Sequence, residues 1–285
     1  MSRALAVFHG RFGRATLYQL DRDMATHAHR EGHLTFYVAG RHSLVKLEGV
    51  PHLLTPEQGA AVNPWRPHSF HAGDLEDGSL FLVLYVRPEW FLQMARSPRC
   101  GMRFGRSIIE MTPTVTWLAN RVTGLLLEGI DPLDCRTCDL FDGYLYELTQ
   151  ESFDQSWQWT GDEGLTNVAA ATVRDFRIRN SIKLMKSRLG DGESILLDGI
   201  ARQAGLSRPH FFKLFKENLG LTPNIYLNTL RMEAAIDKLT TSSEAVTSIG
   251  LDLGFSSQAS FTRFFASNVG IPPSDYRRVA HLAAA

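Results

Sequence analysis

The stretch AVTSIGLDLGFSSQASFTRFF, residues 245–265, decides how the C-terminal part of the chain is read. An apolar-periodic segment runs to Gly254, a polar Ser256-Ser257-Gln258 cluster follows Phe255, and Phe261, Phe264 and Phe265 then recur on helical spacing. That is a helix, a tight turn and a second helix. Gly254 can take the left-handed backbone that lets two helices meet steeply, and Ser256 or Ser257 can cap the second one. An ordinary packed helix pair would look the same; in a helix-turn-helix the second helix is presented to the major groove.

The same plan occurs upstream in ILLDGIARQAGLSRPHFFKLFKENLGLTP, residues 195–223. Setting Gly205 on Gly254 brings Leu206 onto Phe255, Ser207 onto Ser256, Phe211 onto Phe261 with one residue of slack, and Phe215 onto Phe265. Each second helix leaves through a matching exit, LGLTP at 219–223 and VGIPP at 269–273, where a Gly closes one helix and a Pro opens the next. Duplication at this spacing is far harder to reach by chance than a single turn.

From near Asp175 onward these residues resemble the DNA-binding domain of the AraC/XylS transcription regulators. The resemblance is carried by the S-x3-F-x-K-x-F-K register from Ser207, by Arg231-Met232-Glu233-Ala234-Ala235, and by GFSSQASFTRFF followed by G-x-PP-x2-YRR. One departure is Gly250, where the family usually carries Ala; it should soften its helix by about 1 kcal/mol.

The first recognition helix is expected over 208–219, with Ile200, Phe211, Leu214 and Phe215 as core and Arg208, Pro209, Phe212, Lys213 and Lys216 on the free face. The resemblance places Pro209, Phe212 and Lys213 toward base edges. Phe212 suits a thymine methyl group, unless it is tucked beneath the helix as core. The second recognition helix is expected over 257–269, presenting Gln258, Ala259, Ser260, Thr262 and Arg263. Arg263 can fork onto a guanine, or pair with Glu233 or Asp237 instead. A helix from Pro223 through Leu239 would hold the two readers about one DNA turn apart, roughly 34 Å. Two modules in one chain read an asymmetric operator in double-stranded DNA.

At 285 residues the chain has room for two domains. Its 30 basic and 30 acidic residues cancel, but unevenly along the chain. Residues 174–285 hold 15 Lys plus Arg against 10 Asp plus Glu, which leaves 15 against 20 for residues 1–173. A basic C-terminal part fits a phosphate footprint, while the zero total disfavours nonspecific DNA packaging. MSRALAVFHGRFGR at the start shows no secretory pattern and no apolar run is long enough for a membrane span, so a cytoplasmic protein without a membrane partner is expected. Three cysteines argue against a disulfide framework. Cys135 and Cys138 form C-x2-C, but neither a second pair nor a strand precedes them, so they read as plain thiols.

The N-terminal half breaks into short β-rich runs at 5–8, 15–20, 34–38, 43–47, 53–54, 60–62 and 80–86, with Gly, Pro and Asp between them. Such runs imply an antiparallel sandwich or barrel. His27, His29, His33 and Gly40 are similar to the first cupin motif, with His33 in the position of its Glu; Gly59, Pro64 and His68 form a compressed second motif. The expected fold is thus a cupin-like antiparallel β-barrel followed by helices, then an all-α double helix-turn-helix. Strand alternation puts His27 and His29 on one face, where His33 and His68 could join them around a divalent transition metal. A polar-lined effector pocket without metal uses the same residues, His27, His29, His33 and His68, with Arg66 as an anion contact; Trp65, Phe36 and Phe70 lie beside them as pocket or core.

Helices are expected near 113–129 and 139–151. The first carries the stripe Leu118, Val122, Leu125 and Leu126, a packing face by composition and a dimerisation face by the resemblance. Residues 1–160 form the sensing and dimerising domain, 161–174 the linker with its beginning near 152, and 175–285 the DNA-binding domain. Together these point to an effector-controlled regulator, a homodimer that meets RNA polymerase if it activates. A metal-dependent cupin enzyme joined to a DNA-binding tail is the alternative.

Overall fold

The computed structural model describes residues 2–72, 78–94, 103–131, 133–157, 173, 175–192 and 195–282. Strands β1 (Arg3–Gly10) and β2 (Gly13–Leu20) form a hairpin. Its Gly13 has φ +126° and lies so close to the Tyr85 carbonyl that a Cβ would sit 2.1 Å from that oxygen. Then come β3 (Met24–His27), β4 (Gly32–Ala39), β5 (Ser43–Leu47), β6 (Val50–Leu54), β7 (Gln58–Val62), β8 (His68–His71) and β9 (Ser79–Val86). Helix α1 (Pro88–Met94) and strand β10 (Ile108–Glu110) lead to α2 (Pro113–Glu128) and α3 (Cys135–Trp157).

Two sheets enclose the lumen. One runs β3-β8-β5-β6; the other is seven-stranded, with β7-β4-β9-β2-β1 at its centre and β10 beyond β7. The larger sheet is buried on both faces, which is why its strands read as continuous apolar runs such as FLVLYV. Phe81, Val83 and Tyr85 turn to the lumen with Tyr18 and Leu20, while Leu82, Leu84 and Val86 turn outward against α2 and α3.

Those helices correct two expectations. Leu118, Val122 and Leu126 are buried against the sheet and α3, and Leu125 is half-buried in the same cluster, so the stripe is spent inside the subunit and is not free for dimerisation. α3 starts earlier than expected, at the Cys135-Cys138 turn, and continues to Trp157 because Leu148 and Phe153 keep packing. The linker therefore does not begin at 152. Of the expected linker at 161–174, only Val173 falls within the described residues.

The C-terminal part comprises α4 (Phe176–Gly190), α5 (Leu197–Gln203), α6 (Arg208–Leu219), α7 (Pro223–Thr241), α8 (Val246–Asp252), α9 (Gln258–Val269) and α10 (Pro273–Val279). Helices α5–α6 and α8–α9 are the two modules, each turning at a glycine, Gly205 at φ +68° and Gly254 at φ +81°. The chain ends on β11 (Ala280–Leu282), which pairs parallel to β1 and so adds a strand to the barrel's larger sheet.

The modules are tied to the barrel unequally. The core of module one, around Ile200, Phe211 and Phe215, is a cluster of its own with half-buried Trp65 packed against it. The core of module two, Ile249, Phe261, Phe265 and Tyr276, is continuous with the lumen residues Tyr18, Met24, Phe70 and Phe81. Module two therefore caps the barrel mouth.

Candidate functional site

The faces expected to read DNA are built from the repeat. In both modules the paired phenylalanines are fully buried, and the opposite face of the helix is left to solvent. On α6, Arg208, Pro209, Lys213 and Lys216 are exposed. Arg208 is held by Asp198, and Lys213 lies 3.9 Å from Glu217 one turn on. Phe212 is half-buried against the core of its module, under the Arg208 guanidinium 4.9 Å from its ring centroid. It does not stand free on the surface.

On α9, Gln258, Ala259 and Arg263 are exposed and Thr262 is half-buried. Ser257 and Ser260 form a reciprocal capping box, so the Ser260 hydroxyl is engaged at the helix start. The Gln258 side-chain carbonyl accepts from Thr247 Oγ1 at 2.7 Å. Arg263 has no carboxylate partner among the described residues, and Glu233 pairs with Arg30 instead. Its guanidinium is left available to a ligand.

Gly250 has a structural reason. A Cβ there would meet Phe261 Cβ at 2.9 Å and its ring at about 3.0 Å. The equivalent position of module one is the buried Ala201, and the turn of module two is one residue longer before its first buried phenylalanine.

In the barrel, His27, His29 and His68 bring one ligand nitrogen each to within 4.8 Å of one another, all buried. His33 stands beside them, its ring centroid 4.5 Å from that of His68 and 5.2 Å from that of His29. Simple alternation does not produce this, because β3 ends at His27 after an irregularity and His29 lies in the connection to β4. Two of the rings are anchored from behind: His27 Nδ1 lies 2.6 Å from the Ala25 carbonyl and His68 Nδ1 2.9 Å from that of Arg66. Such contacts place the proton on Nδ1 and leave Nε2 as a lone pair. His29 Nε2 and His33 Nδ1 are buried without a partner. Burial lowers the pKa of His27 to about 4 and of His33 to about 3, and holds His29 and His68 well below the ordinary value. Four neutral imidazoles converging in this way fit a divalent transition metal.

Arg66 does not join them. It pairs with Glu48 at 3.2 Å and is partly solvated, outside the lumen. Beside it Trp65, at φ +62°, stacks on Tyr226 of α7 with centroids 5.0 Å apart, and its N–H donates to the His29 carbonyl at 2.7 Å. Phe36 is core between sheet and helices, whereas Phe70 lines the lumen. Cys135 and Cys138 open α3 with no third metal-binding side chain grouped with them among the described residues.

The most important residue not expected from sequence is Arg14, buried on β2 where its Nη1 donates to Tyr276 Oη at 3.2 Å. A charge in the otherwise uncharged and almost wholly buried strand GRATLYQL, two positions from Thr16 and four from Tyr18, was the signal for it. Thr229 and Glu233 of α7 also contact the barrel. The first donates to the Ala28 carbonyl at 3.0 Å, and the second accepts from the Arg30 N–H at 3.1 Å.

Two family models match the chain, a helix-turn-helix domain over residues 200–279 and an AraC-like ligand binding domain over residues 14–127. Among relatives, the protein named "Probable transcription factor PqrA" of Proteus vulgaris is 32% identical over 100 residues, 35% of this chain and 82% of that one. The transposon Tn10 TetD protein of Escherichia coli is 37% identical over 86 residues, 30% of this chain and 62% of its own length. An HTH-type transcriptional regulator of Haemophilus influenzae is 30% identical over 86 residues, 30% of this chain, and is covered over 29% of its length. Solved structures of ToxT share the two-domain fold. The fatty-acid-bound wild-type protein of Vibrio cholerae strain SCE256 gives a TM-score of 0.56 at 15% identity over 93% of this chain and 94% of that one. The O395 protein gives 0.53 at 14%, over 98% and 97%.

Proposed function

We propose that this chain, which belongs to the AraC/XylS family of DNA-binding transcription regulators, reads an asymmetric operator with α6 and α9 under the control of an effector in its N-terminal barrel. The observation that carries the control is the shared core: the side chains lining the lumen also pack against α7, α9 and α10. Anything seated in the lumen therefore presses on a DNA-reading module directly. On the reading side, Arg263 of α9 supplies the guanine fork, while Lys213 and Lys216 of α6 supply point charges for phosphate or base. Pro209, Ala259 and Thr262 complete the outward faces.

The lumen is apolar along Tyr18, Met24, Phe70, Phe81 and Val83 and ends at His27, His33 and His68. This suits an effector with an apolar body and a polar head. The ToxT structure named above carries an unsaturated fatty acid, which is the chemistry we take as first probe. His27, His29 and His68, with His33 beside them, would hold a divalent transition cation, and such an ion supplies a Lewis-acidic anchor for the head group. The protein's own residues fix the imidazole tautomers and exclude water from the cluster. With its relatives transcription regulators, we read the barrel as a sensor and not as an enzyme. No helix among the described residues is long and apolar enough to cross a membrane, and we place the protein in the cytoplasm. A homodimer would use the outer apolar side chains Trp117, Leu127 and Leu140 in place of the buried stripe, and would meet RNA polymerase if it activates.

Operator fragments selected from random duplex DNA by the full chain test the reading. Specific binding should appear, and should be weakened and relaxed at one base position in Arg263→Ala. An unsaturated fatty acid or Zn²⁺ should shift both thermal stability and operator affinity. Selection that enriches no sequence would overturn the DNA assignment, and stability unmoved by either probe would overturn the sensory one.

A further inference from the structure

Between the barrel and α7 lies a cleft of about 360 Å³, bounded by the end of the β1–β2 hairpin on one side and by Glu233, Asp237 and Thr240 on the other. Neither DNA reading nor the lumen accounts for it. Its barrel wall carries Arg14, only 8% exposed. The guanidinium carbon sits 3.7 Å from the Tyr85 ring centroid, Nη1 donates to Tyr276 Oη, and Nε has no partner. Among the described residues no carboxylate forms an ion pair with it.

A guanidinium cannot shed its proton inside a protein, and a buried charge is costly without an opposite one. Two phenol rings soften that cost without neutralising it. What the site lacks is an anion in contact with Arg14. Glu31 lines the same cleft and lies in the field of Arg14 but forms no ion pair with it, Glu233 is committed to Arg30, and Asp237 is exposed on α7. The cleft therefore has a cationic barrel wall, with Arg11 and Arg87 at its rim, and an acceptor-rich wall on α7.

We infer that this cleft binds a small organic acid bearing hydroxyl or ammonium groups, with its carboxylate on Arg14 and its donors toward Glu233 and Asp237. A simple inorganic anion would meet only the first wall; a zwitterion or hydroxy acid meets both. Because the walls belong to different domains, the ligand fastens the barrel to α7. The cleft shares Tyr85 with the lumen lining and reaches His29 of the histidine cluster, and occupation of it does not depend on operator reading.

Calorimetric titration of the full chain with L-tartrate, and separately with inorganic phosphate, tests it at constant ionic strength in the presence of a chelator. Saturable tartrate binding is expected, weakened at least about tenfold in Arg14→Gln, the loss of one charge-assisted contact. Absence of saturable binding to the wild type, or unchanged affinity in Arg14→Gln, overturns the inference. If Arg14→Gln does not fold, as judged by circular dichroism, the exposed substitution Asp237→Ala decides. Weaker tartrate binding with phosphate binding undiminished supports the two-walled site, and unchanged tartrate affinity overturns it.

Discussion

Gly220 and Gly270 occupy equivalent places, each closing a recognition helix in the left-handed region, at φ +77° and φ +88°. Each donates its N–H back into its helix, to Lys216 and Ala266 respectively. Alanine at either position meets the same backbone penalty, about 1–2 kcal/mol. The surroundings differ. A Cβ on Gly220 has only Arg66 Nη1 at 3.6 Å, the far end of a mobile side chain. On Gly270 it would lie 2.8 Å from Leu20 Cδ2 and 3.4 Å from Met24 Sδ, both on the barrel. Overpacking of that kind adds about 1–3 kcal/mol. Gly220→Ala should thus cost about 1–2 kcal/mol and Gly270→Ala about 2–5 kcal/mol, read from urea unfolding of the full chain. Combining Gly270→Ala with Leu20→Ala should recover the overpacking part as a coupling of about 1–3 kcal/mol. Equal costs for the two glycines, or a double mutant that is simply additive, would refute the docking of module two on the barrel.

Arg263→Ala should weaken binding to a selected operator by about 1–3 kcal/mol and relax one base position, whereas Lys216→Ala should lower affinity for all sequences and reduce the salt slope by about one; fluorescence anisotropy against salt separates them. Two groups at the domain junction should give stability opposite pH dependences. Burial, and then Glu31, raises Glu233 to about 7 from 4.5, so its contribution is complete below pH 4.5 and is lost as pH rises through about 7. Glu233→Gln should remove that loss, on the order of 1–3 kcal/mol, in melting temperatures followed against pH. Burial, and then Arg14, lowers His9 from 6.5 to about 3, so its contribution holds above pH 6.5 and is lost as pH falls toward 3. His9→Gln should flatten that acid limb. Zn²⁺ should raise the melting temperature of the wild type in proportion to the logarithm of its concentration, and His29→Ala should abolish the rise; a rise that persists would place the metal elsewhere.

What could be read in advance follows the strength of local signals. Both recognition helices were legible because glycine turns, caps and phenylalanine spacing agree twice in one chain. Seven strands were legible because burial on one or both faces writes itself as alternation or as an apolar run. Strands β3, β8, β10 and β11 were not, since three or four residues carry too little pattern and β3 and β8 are partly histidine. The four histidines were found from motif spacing, although His29 reaches His27 from the connection that follows β3 and not by strand alternation. Arg66 was misplaced because its direction depends on the local turn at Trp65. The stripe on α2 was correctly apolar, but sequence cannot say whether a stripe meets its own barrel or a second subunit. The joining of β11 to β1 spans nearly the whole chain and has no local signature at all.

The unequal attachment of the modules bears on how a signal would travel. Module two shares its core with the lumen and is tied further by Tyr276 to His9 and Arg14, and by β11 to β1. The core of module one meets the barrel at Trp65, which stacks on Tyr226 of α7, a contact of about 0.5–1.5 kcal/mol beyond its burial, with Arg66 beside Gly220 at the end of α6. Yet the segment running from His27 to Arg30 touches both systems. Its histidines belong to the cluster, its Ala28 carbonyl holds Thr229, its His29 carbonyl holds Trp65, and its Arg30 holds Glu233. A change of about 1–3 kcal/mol in how that segment is held would equal the coupling common in allosteric proteins. Because Thr229 and Glu233 lie on the helix joining the two modules, the perturbation would act on their relative placement, and an operator requires both readers on one face of the duplex. Control of spacing, with each reading face left intact, is therefore the cheaper route from barrel to DNA.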